Sequence, residues 1–278
     1  MAKHVLIIGG GPAGCSAAMT LRLRGEDVTI LYSGEGALGR AKRVDNYPGL
    51  AQMPGGEMLS AFRRQAEEMG AALRPGVARY IQRTRRGFTV LAGEDMIACD
   101  AVLLASGVAR VNLIPGEEAL VGRGVSYCAT CDGMLYRGKR VAVIAQGPEA
   151  VSEANFLASV CESVTFFGAP DAALNEGIAV SDKKPEEIEG DTRVTALRAS
   201  GEDMPFDGVF IFREAMALSA LLPGLEMDGA FIRVDRAMRT SVPGVFAAGD
   251  CTGLPLQVAK AVGEGCIAAL SAAQELKN

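Results

Sequence analysis

The sequence predicts an α/β protein built from two three-layer domains, each around a parallel sheet. Three observations carry this. The run HVLII (4–8) is apolar and ends in glycines, as a parallel strand buried on both faces does. VAVIA (141–145) repeats the pattern. Aligning 5–18 with 141–154 gives six identities in fourteen positions: Val5/Val141, Ile8/Ile144, Gly11/Gly147, Pro12/Pro148, Ser16/Ser152 and Ala18/Ala154. The 34 glycines in 278 residues suit many tight strand-to-helix turns.

The elements follow in order. After the strand 4–8, residues 12–25 read as a helix with Ala, Met and Leu on one face, and 27–32 as the next strand, completing a βαβ unit. EMLSAFRRQAEEMG (57–70) is an amphipathic helix. Residues 89–92 and 101–105 read as strands. A second βαβ unit comprises 141–145, the helix 153–161 and the strand SVTFF (163–167). The acidic stretch 170–204 has little apolar periodicity and predicts loops or a β-rich flap. Residues 207–212 and 231–234 read as strands, GVFAAGDC (244–251) as a strand ending in a loop, and 255–276 as an alanine-rich helix.

Composition narrows the classes. Hydrophobic residues at 49% and charged residues at 22% are ordinary for a globular chain. A net charge of −5 argues against nucleic acid as the main partner. No apolar run approaches the roughly 20 residues of a membrane span, and the chain enters its first strand without a leader pattern. Seven scattered cysteines with one close pair suggest a reducing, cytoplasmic setting and no disulfide framework.

Gly9, Gly11 and Gly14 make G-x-G-x-x-G between a strand and a helix, a Rossmann-like context. These glycines permit the tight turn, close approach to a pyrophosphate and close helix–strand packing. The exposed N–H groups of the helix then face the phosphates. The acidic residue expected about 20 positions on, for a ribose hydroxyl, is absent from the strand end YSG (32–34), and Glu35 is a substitute. Far along the chain, VFAAGD (245–250) places Asp250 just past a strand. Asp250 alone is read equally well as a cap of the last helix. Together with the first fingerprint it points to FAD, with Asp250 on the ribityl chain.

SYCATCDG carries Cys128 and Cys131 as C-x-x-C. Zinc needs four ligands, no second pair exists, and the single histidine is His4, so no metal is expected. A redox dithiol fits, because the C-x-x-C spacing lowers a thiolate pKa and allows a disulfide to close. Asp132 follows and can move protons for the leaving thiolate. Cys15, Cys99, Cys161, Cys251 and Cys266 sit among apolar or small residues and read as packing.

On GGGPAG (9–14), DNYPG (45–49), CDAVLLASG (99–107), GRGVSYCATCDGMLYRGKRVAVI (122–144), SVPGVFAAGD (241–250) and QVAKAVGEGCIAAL (257–270), the chain resembles the low-molecular-weight thioredoxin reductases over essentially its whole length. The resemblance implies a discontinuous FAD domain (1–112 and 241–278) and an inserted, shortened pyridine-nucleotide-type domain (113–240) carrying the dithiol. It implies a homodimer, with thioredoxin as acceptor. It places Cys131 against the flavin and has Cys128 attack thioredoxin, with Asp132 as acid. The flavin-site residues it implies are Gly9, Gly11, Pro12, Ala13, Gly14, Glu35, Asn46, Ala105, Gly107, Gly249, Asp250, Gln257 and Val258.

The inserted domain departs from the family pattern. Its fingerprint is Ala145, Gly147, Ala150 where G-x-G-x-x-A is expected, and a Cβ at the first position obstructs the turn. Glu149 places negative charge beside a pyrophosphate site. Gly168, Ala169 and Pro170 stand where the family carries HRR for a 2′-phosphate, and no Lys or Arg lies between Arg140 and Lys183. IFREAMA (211–217) replaces a glycine motif that touches the cofactor. The flavin site and dithiol are intact, so the chain most resembles the pyridine-nucleotide-independent, ferredoxin-dependent flavin thioredoxin reductases. Arg40, Lys42 and Arg43 are a candidate docking patch for an acidic ferredoxin. Arg79, Arg83, Arg85 and Arg86 are a second cluster that solvated surface charge explains equally well. Three other readings remain open here: an NAD(P)H-dependent reductase with an atypical site, a dithiol oxidase using oxygen, and a non-catalytic FAD-binding sensor.

Overall fold

The computed structural model describes residues 2–50, 52–93, 95–108, 113–147, 149–213 and 218–277, with Ser219 and Ala220 described by backbone alone. Pro148 of the internal repeat, residues 214–217 of IFREAMA and residues 109–112 at the expected domain boundary lie outside the described residues. The chain divides into two compact units, Met1–Arg110 with Ala217–Asn278, and Val111–Met216. Residues 218–240, assigned to the inserted domain from the sequence, belong to the first unit. Leu218, Leu221 and Leu222 join its core there.

The first unit is built on a parallel five-stranded sheet. Its spatial order is Val245–Ala247, Ala101–Leu104, His4–Ile8, Asp27–Tyr32 and Ala72–Pro75. Alternate residues of the central strand serve two different layers. Val5 and Ile7 face a core shared with Ala17 and Leu21 of the helix Pro12–Leu23 and with Ala268 and Ala272 of the helix Val258–Glu275. Leu6 and Ile8 face Ile81, Phe88 and Val90 of an antiparallel three-stranded sheet, Ala78–Thr84, Gly87–Ala92 and Asp95–Cys99. This double burial explains the unbroken apolar run HVLII, which a one-sided strand would interrupt with polar residues. The sequence marked only the middle strand of the antiparallel layer. Its partner ARYIQRT is mostly polar toward solvent, so it carries no apolar run.

The second unit repeats the plan. Its parallel sheet runs Ala179–Ser181, Ser163–Phe167, Arg140–Gln146, Gly208–Arg213 and Val125–Ser126. Val141, Val143, Phe166, Phe210 and Phe212 form a core with Ala154 and Leu157 of the helix Ala150–Ala158. The acidic stretch 170–204, expected as loops or a flap, supplies the edge strand Ala179–Ser181. It then enters an antiparallel sheet of Pro185–Glu189, Ala196–Ala199 and Glu202–Pro205. Arg198 at its centre pairs with Glu187, Glu189 and Asp203, so cross-strand charges hold this layer where apolar alternation is weak. Among the described residues no helix is long and apolar enough to cross a membrane.

In the first unit the opening and closing helices meet through small residues. A Cβ on Gly265 would lie 2.2 Å from the Ala13 carbonyl oxygen, and the Ser16 hydroxyl donates to the Val262 carbonyl at 2.7 Å. Gly265→Ala is therefore expected to destabilise by about 1–3 kcal/mol through overpacking, partly offset by about 1 kcal/mol of helix propensity. Thermal unfolding followed by circular dichroism checks this. A midpoint equal to or above the parent's contradicts the close approach.

Candidate active site

In an open α/β sheet a ligand binds beyond the carboxyl ends of the strands, where the chain order reverses. In the first unit that point lies between His4–Ile8 and Ala101–Leu104. Gly9 sits there at φ +119, its N–H donating to the Leu31 carbonyl at 2.8 Å. A Cβ on Gly9 would come 2.1 Å from the Ala105 carbonyl oxygen, and one on Gly14 would come 1.9 Å from the Gly9 carbonyl oxygen. Gly11, by contrast, has nothing within 4 Å of a built Cβ, and the same holds for Gly107. Gly9 and Gly14 are thus required by packing, while Gly11 and Gly107 face open space in which a ligand fits. Pro12 opens the helix and Gly11 caps it without a side-chain bond. The first-turn N–H groups of Ala13 and Gly14 are left for an anion.

Of the other flavin-site candidates in this unit, Gly249 meets the same turn, and Asn46 and Gln257 meet each other. A Cβ on Gly249 would stand 2.8 Å from the Ala13 methyl, and Asn46 Nδ2 donates to Gln257 Oε1 at 2.6 Å. Val258 opens the last helix and packs against Leu38, Val44, Met58 and Leu59. Lys260 and Glu264, one helical turn apart and paired at 3.2 Å, clamp the loop that carries Asp250. Lys260 Nζ donates to the Gly249 and Gly253 carbonyls at 2.8 and 2.7 Å, and Glu264 Oε2 accepts from the Gly249 N–H at 2.9 Å. The Asp250 carboxylate has no hydrogen-bond partner among the described residues. Burial first, then Glu264, push its pKa up, with Lys260 opposing. A carboxylate held in that state gains from a hydroxyl donor. With the open Gly11 and Gly107 cradle, these residues fit a flavin dinucleotide. Glu35 is exposed; the loop before it is tied by Arg63, which donates to the Gly10 and Gly34 carbonyls and lies over the Tyr32 ring at 4.3 Å.

In the second unit Cys128 and Cys131 form a disulfide with Cα atoms 5.4 Å apart. Cys128 caps the short helix Ala129–Asp132 in extended backbone, its Sγ accepting from the Cys131 N–H at 3.1 Å. Cys128 is buried and Cys131 exposed. Ser126, buried one residue before Tyr127, donates its hydroxyl to Asp132 Oδ2 at 2.7 Å and accepts from the Cys128 N–H at 3.2 Å. It therefore ties the acid and the cysteine together. Elsewhere burial pushes thiols up: Cys15 and Cys161 to about 11, Cys99 and Cys251 to about 12. These four stay protonated and unreactive near neutral pH.

The switch point of this second sheet is bridged by side chains. It lies between Arg140–Gln146 and Gly208–Arg213, whose last residues are in register as Gln146 and Arg213. Arg213 Nε donates to Gln146 Oε1 at 2.7 Å, and its two terminal nitrogens grip both Glu117 oxygens at 2.5 and 2.6 Å. Glu117 also accepts from the Tyr127 hydroxyl at 2.9 Å and the Ile114 N–H at 2.9 Å. Burial first, then the Glu117 charge, push the Tyr127 phenol well above its usual range, so it acts as a neutral donor. The Ala145 methyl lies 2.8 Å from a Cβ built on Gly168. Glu149 caps the following helix and Glu153 stands in its first turn, where a pyrophosphate would arrive.

Sequence reasoning missed Arg63, Ser126, Glu117, Arg213, Lys260 and Glu264. The i,i+4 spacing of Lys260 and Glu264 was a readable signal; the pairing of Glu117 with Arg213, 96 positions away, was not. Of the basic clusters, Arg40, Lys42 and Arg43 are exposed, Arg43 pairing with Asp45 at 2.8 Å. Arg79 is buried, so the expected second surface cluster reduces to Arg83, Arg85 and Arg86.

Residues 3–265 match the family described as pyridine nucleotide-disulphide oxidoreductase. The chain is 36% identical to the thioredoxin reductase of Mycolicibacterium smegmatis over 295 residues, covering 96% of this chain and 94% of that one. Among solved structures it is similar to a ferredoxin-flavin thioredoxin reductase from Clostridium acetobutylicum, with a TM-score of 0.86, 34% identity and coverage of 99% and 98%. It is also similar to the atypical thioredoxin reductase of Desulfovibrio vulgaris Hildenborough, with a TM-score of 0.79, 35% identity and coverage of 99% and 98%.

Asp250→Ala removes a carboxylate that has no hydrogen-bond partner among the described residues. A hydrogen bond to a charged group contributes about 1.5–3 kcal/mol, so FAD affinity is expected to fall by about tenfold to a hundredfold. Flavin retained through dialysis, titrated back by fluorescence, measures it. Unchanged retention removes Asp250 from the site.

Proposed function

The chain belongs to the thioredoxin reductases of the pyridine nucleotide-disulphide oxidoreductase family, and on that premise we propose that its electrons come from reduced ferredoxin. Membership makes it a flavin disulfide oxidoreductase with FAD as cofactor and thioredoxin as substrate. The observation that carries the donor assignment is the bridged switch point of the second unit. Arg213, the cation nearest the place a dinucleotide would take, is engaged on both faces by Glu117 and Gln146. Ala145, Glu149 and Glu153 oppose a pyrophosphate there, and residues 141–182 contain no Lys or Arg for a 2′-phosphate. The likeness to the Clostridium acetobutylicum ferredoxin-flavin thioredoxin reductase supports the same reading.

FAD, when bound, supplies the exchange between a one-electron donor and a two-electron acceptor. Gly9, Gly11, Pro12, Ala13 and Gly14 would hold its pyrophosphate, Asp250 its ribityl chain and Glu35 its ribose, with Asn46, Ala105, Gly107, Gly249, Gln257 and Val258 completing the site. Two electrons and two protons convert the Cys128–Cys131 disulfide to two thiols. Asp132, held by Ser126, serves the leaving sulfur with its proton. The Cys128 thiolate attacks the thioredoxin disulfide to form a mixed disulfide. Cys131 then attacks Cys128, which releases reduced thioredoxin and restores the pair. A donor near −400 mV against thioredoxin near −270 mV gives about 130 mV, or about 6 kcal/mol for two electrons. The working form in this proposal is a cytoplasmic homodimer.

Under anaerobic conditions NADPH and NADH are expected to leave the flavin oxidised while photoreduced ferredoxin bleaches it. Bleaching by either nucleotide within turnover time replaces this reading with a pyridine-nucleotide reductase. Arg40→Glu with Arg43→Glu is expected to slow ferredoxin-driven reduction by about tenfold at low salt, since steering by surface charge is screened as ionic strength rises. Dithionite reduction should be unchanged. Equal ferredoxin rates in variant and parent remove this patch as the docking site.

A further inference from the structure

The side chains that bridge the second switch point also reach the redox pair. From Gln146 at the end of one central strand, bonds run to Arg213 at the end of its neighbour, on to Glu117, and from Glu117 to the Tyr127 hydroxyl. Tyr127 is bonded through its peptide to Cys128. Glu117 is fully buried, and Arg213 and Tyr127 are 5% and 8% exposed. The bonds joining Arg213, Glu117 and Tyr127 are directional and lie away from water, where such bonds are strongest and a lost partner is costly, while Gln146 at the outer end is exposed. We propose that Gln146, Arg213, Glu117 and Tyr127 form a strut that holds the backbone of Cys128 in place for closing onto Cys131, and so sets the redox potential of the pair. Arg213 and Tyr127 are positioning residues in this scheme, acting through Cys128.

The direction follows from what the two redox states require. A disulfide needs its Cα atoms within about 4.4–6.8 Å and its Cβ vectors facing, and the pair sits at 5.4 Å. Two thiols have no such requirement. Holding Tyr127 where the disulfide needs Cys128 lowers the entropy lost on closing, as restraint raises the effective concentration of any two reacting groups. Removing the restraint therefore favours the reduced pair. A second restraint, the hydrogen bond from the Cys128 N–H to Ser126, remains when Tyr127 is altered, so the effect is partial.

Tyr127→Phe removes the hydroxyl and keeps the ring. The test uses the whole flavin-loaded protein, equilibrated anaerobically in dithiothreitol buffers of stepped ratio. Thiols are trapped with iodoacetamide, and the state of Cys128 and Cys131 is read by mass spectrometry. The equilibrium constant for closing the disulfide should fall by about threefold to tenfold. The potential then becomes less negative by up to about 30 mV, since a tenfold change is 29.6 mV for two electrons. Flavin content should match the parent's. Gln146→Ala, at the far end, should move the potential the same way by about twofold. A Tyr127→Phe potential equal to the parent's, or more negative, overturns the strut, and an unmoved Gln146→Ala overturns its reach to the sheet. The inference rests on reading Cys128 and Cys131 as the redox pair. If the parent's pair never exchanges with dithiothreitol, that reading fails, an outcome distinct from equal potentials.

Discussion

A guanidinium buried at the carboxyl end of a parallel sheet must be paired, and in the second unit this requirement organises what surrounds it. Arg213 closes the strand Gly208–Arg213 at 5% exposure, and both Glu117 oxygens meet it. An unpaired ion there would cost several kcal/mol, so Glu117 has to occupy the same space. On the proposed reading they stand beyond the strand ends, where a dinucleotide would otherwise lie. The loss of nucleotide features elsewhere in the unit then has a common physical origin. On the proposed reading, nothing then holds a glycine at 145 or arginines at 169 and 170, and acidic side chains at 149 and 153 meet no phosphate.

The first unit obeys the opposite constraint with the same topology. There the switch point is kept open by the absence of side chains. Gly9 and Gly14 allow backbone to pass within a distance no Cβ tolerates, and Gly11 and Gly107 leave the space in front of the helix clear. The clamp of Lys260 and Glu264 fixes the loop of Asp250 from behind, so its carboxylate stays directed by backbone rather than by a partner of its own. One site is therefore shaped by glycine and the other by a buried ion pair, although the strand–turn–helix segments that form them share six residues in fourteen.

What was legible in the sequence divides along the same line. Strands buried on both faces, such as HVLII and VAVIA, declare themselves by apolar runs. The strands 27–32 and 163–167 fell on the expected residues. The glycine cradle was legible because its chemistry is local: spacing alone places Gly9, Gly11 and Gly14. Edge and antiparallel strands were not, since Ala78–Thr84 and Pro185–Glu189 carry charge on the face that pays no burial cost. Arg79 was read as surface because arginine usually is, yet it lies buried. The Glu117–Arg213 pair was invisible for a different reason. Two charged residues far apart in sequence give no periodic signal, and only the tertiary fold brings the turn of Glu117 to the strand end of Arg213.

An ion pair in this place is a weak way to gain stability. Apolar side chains of similar volume commonly fill such a space at equal or lower free energy. Closing the cleft therefore does not by itself explain Glu117 and Arg213, because Leu or Met would close it as well. What apolar packing cannot supply is direction. The Arg213 fork fixes Glu117 in plane, Glu117 fixes the Tyr127 hydroxyl, and Gln146 fixes the fork from its other side. Such a chain of bonds transmits position from the sheet to the residue beside Cys128, where a greasy contact would let the loop slide. On the proposed reading the flavin feeds the disulfide without a second cofactor in its own unit, so the core once open for nucleotide is free to become rigid. A charged network is the form of filling that makes it so.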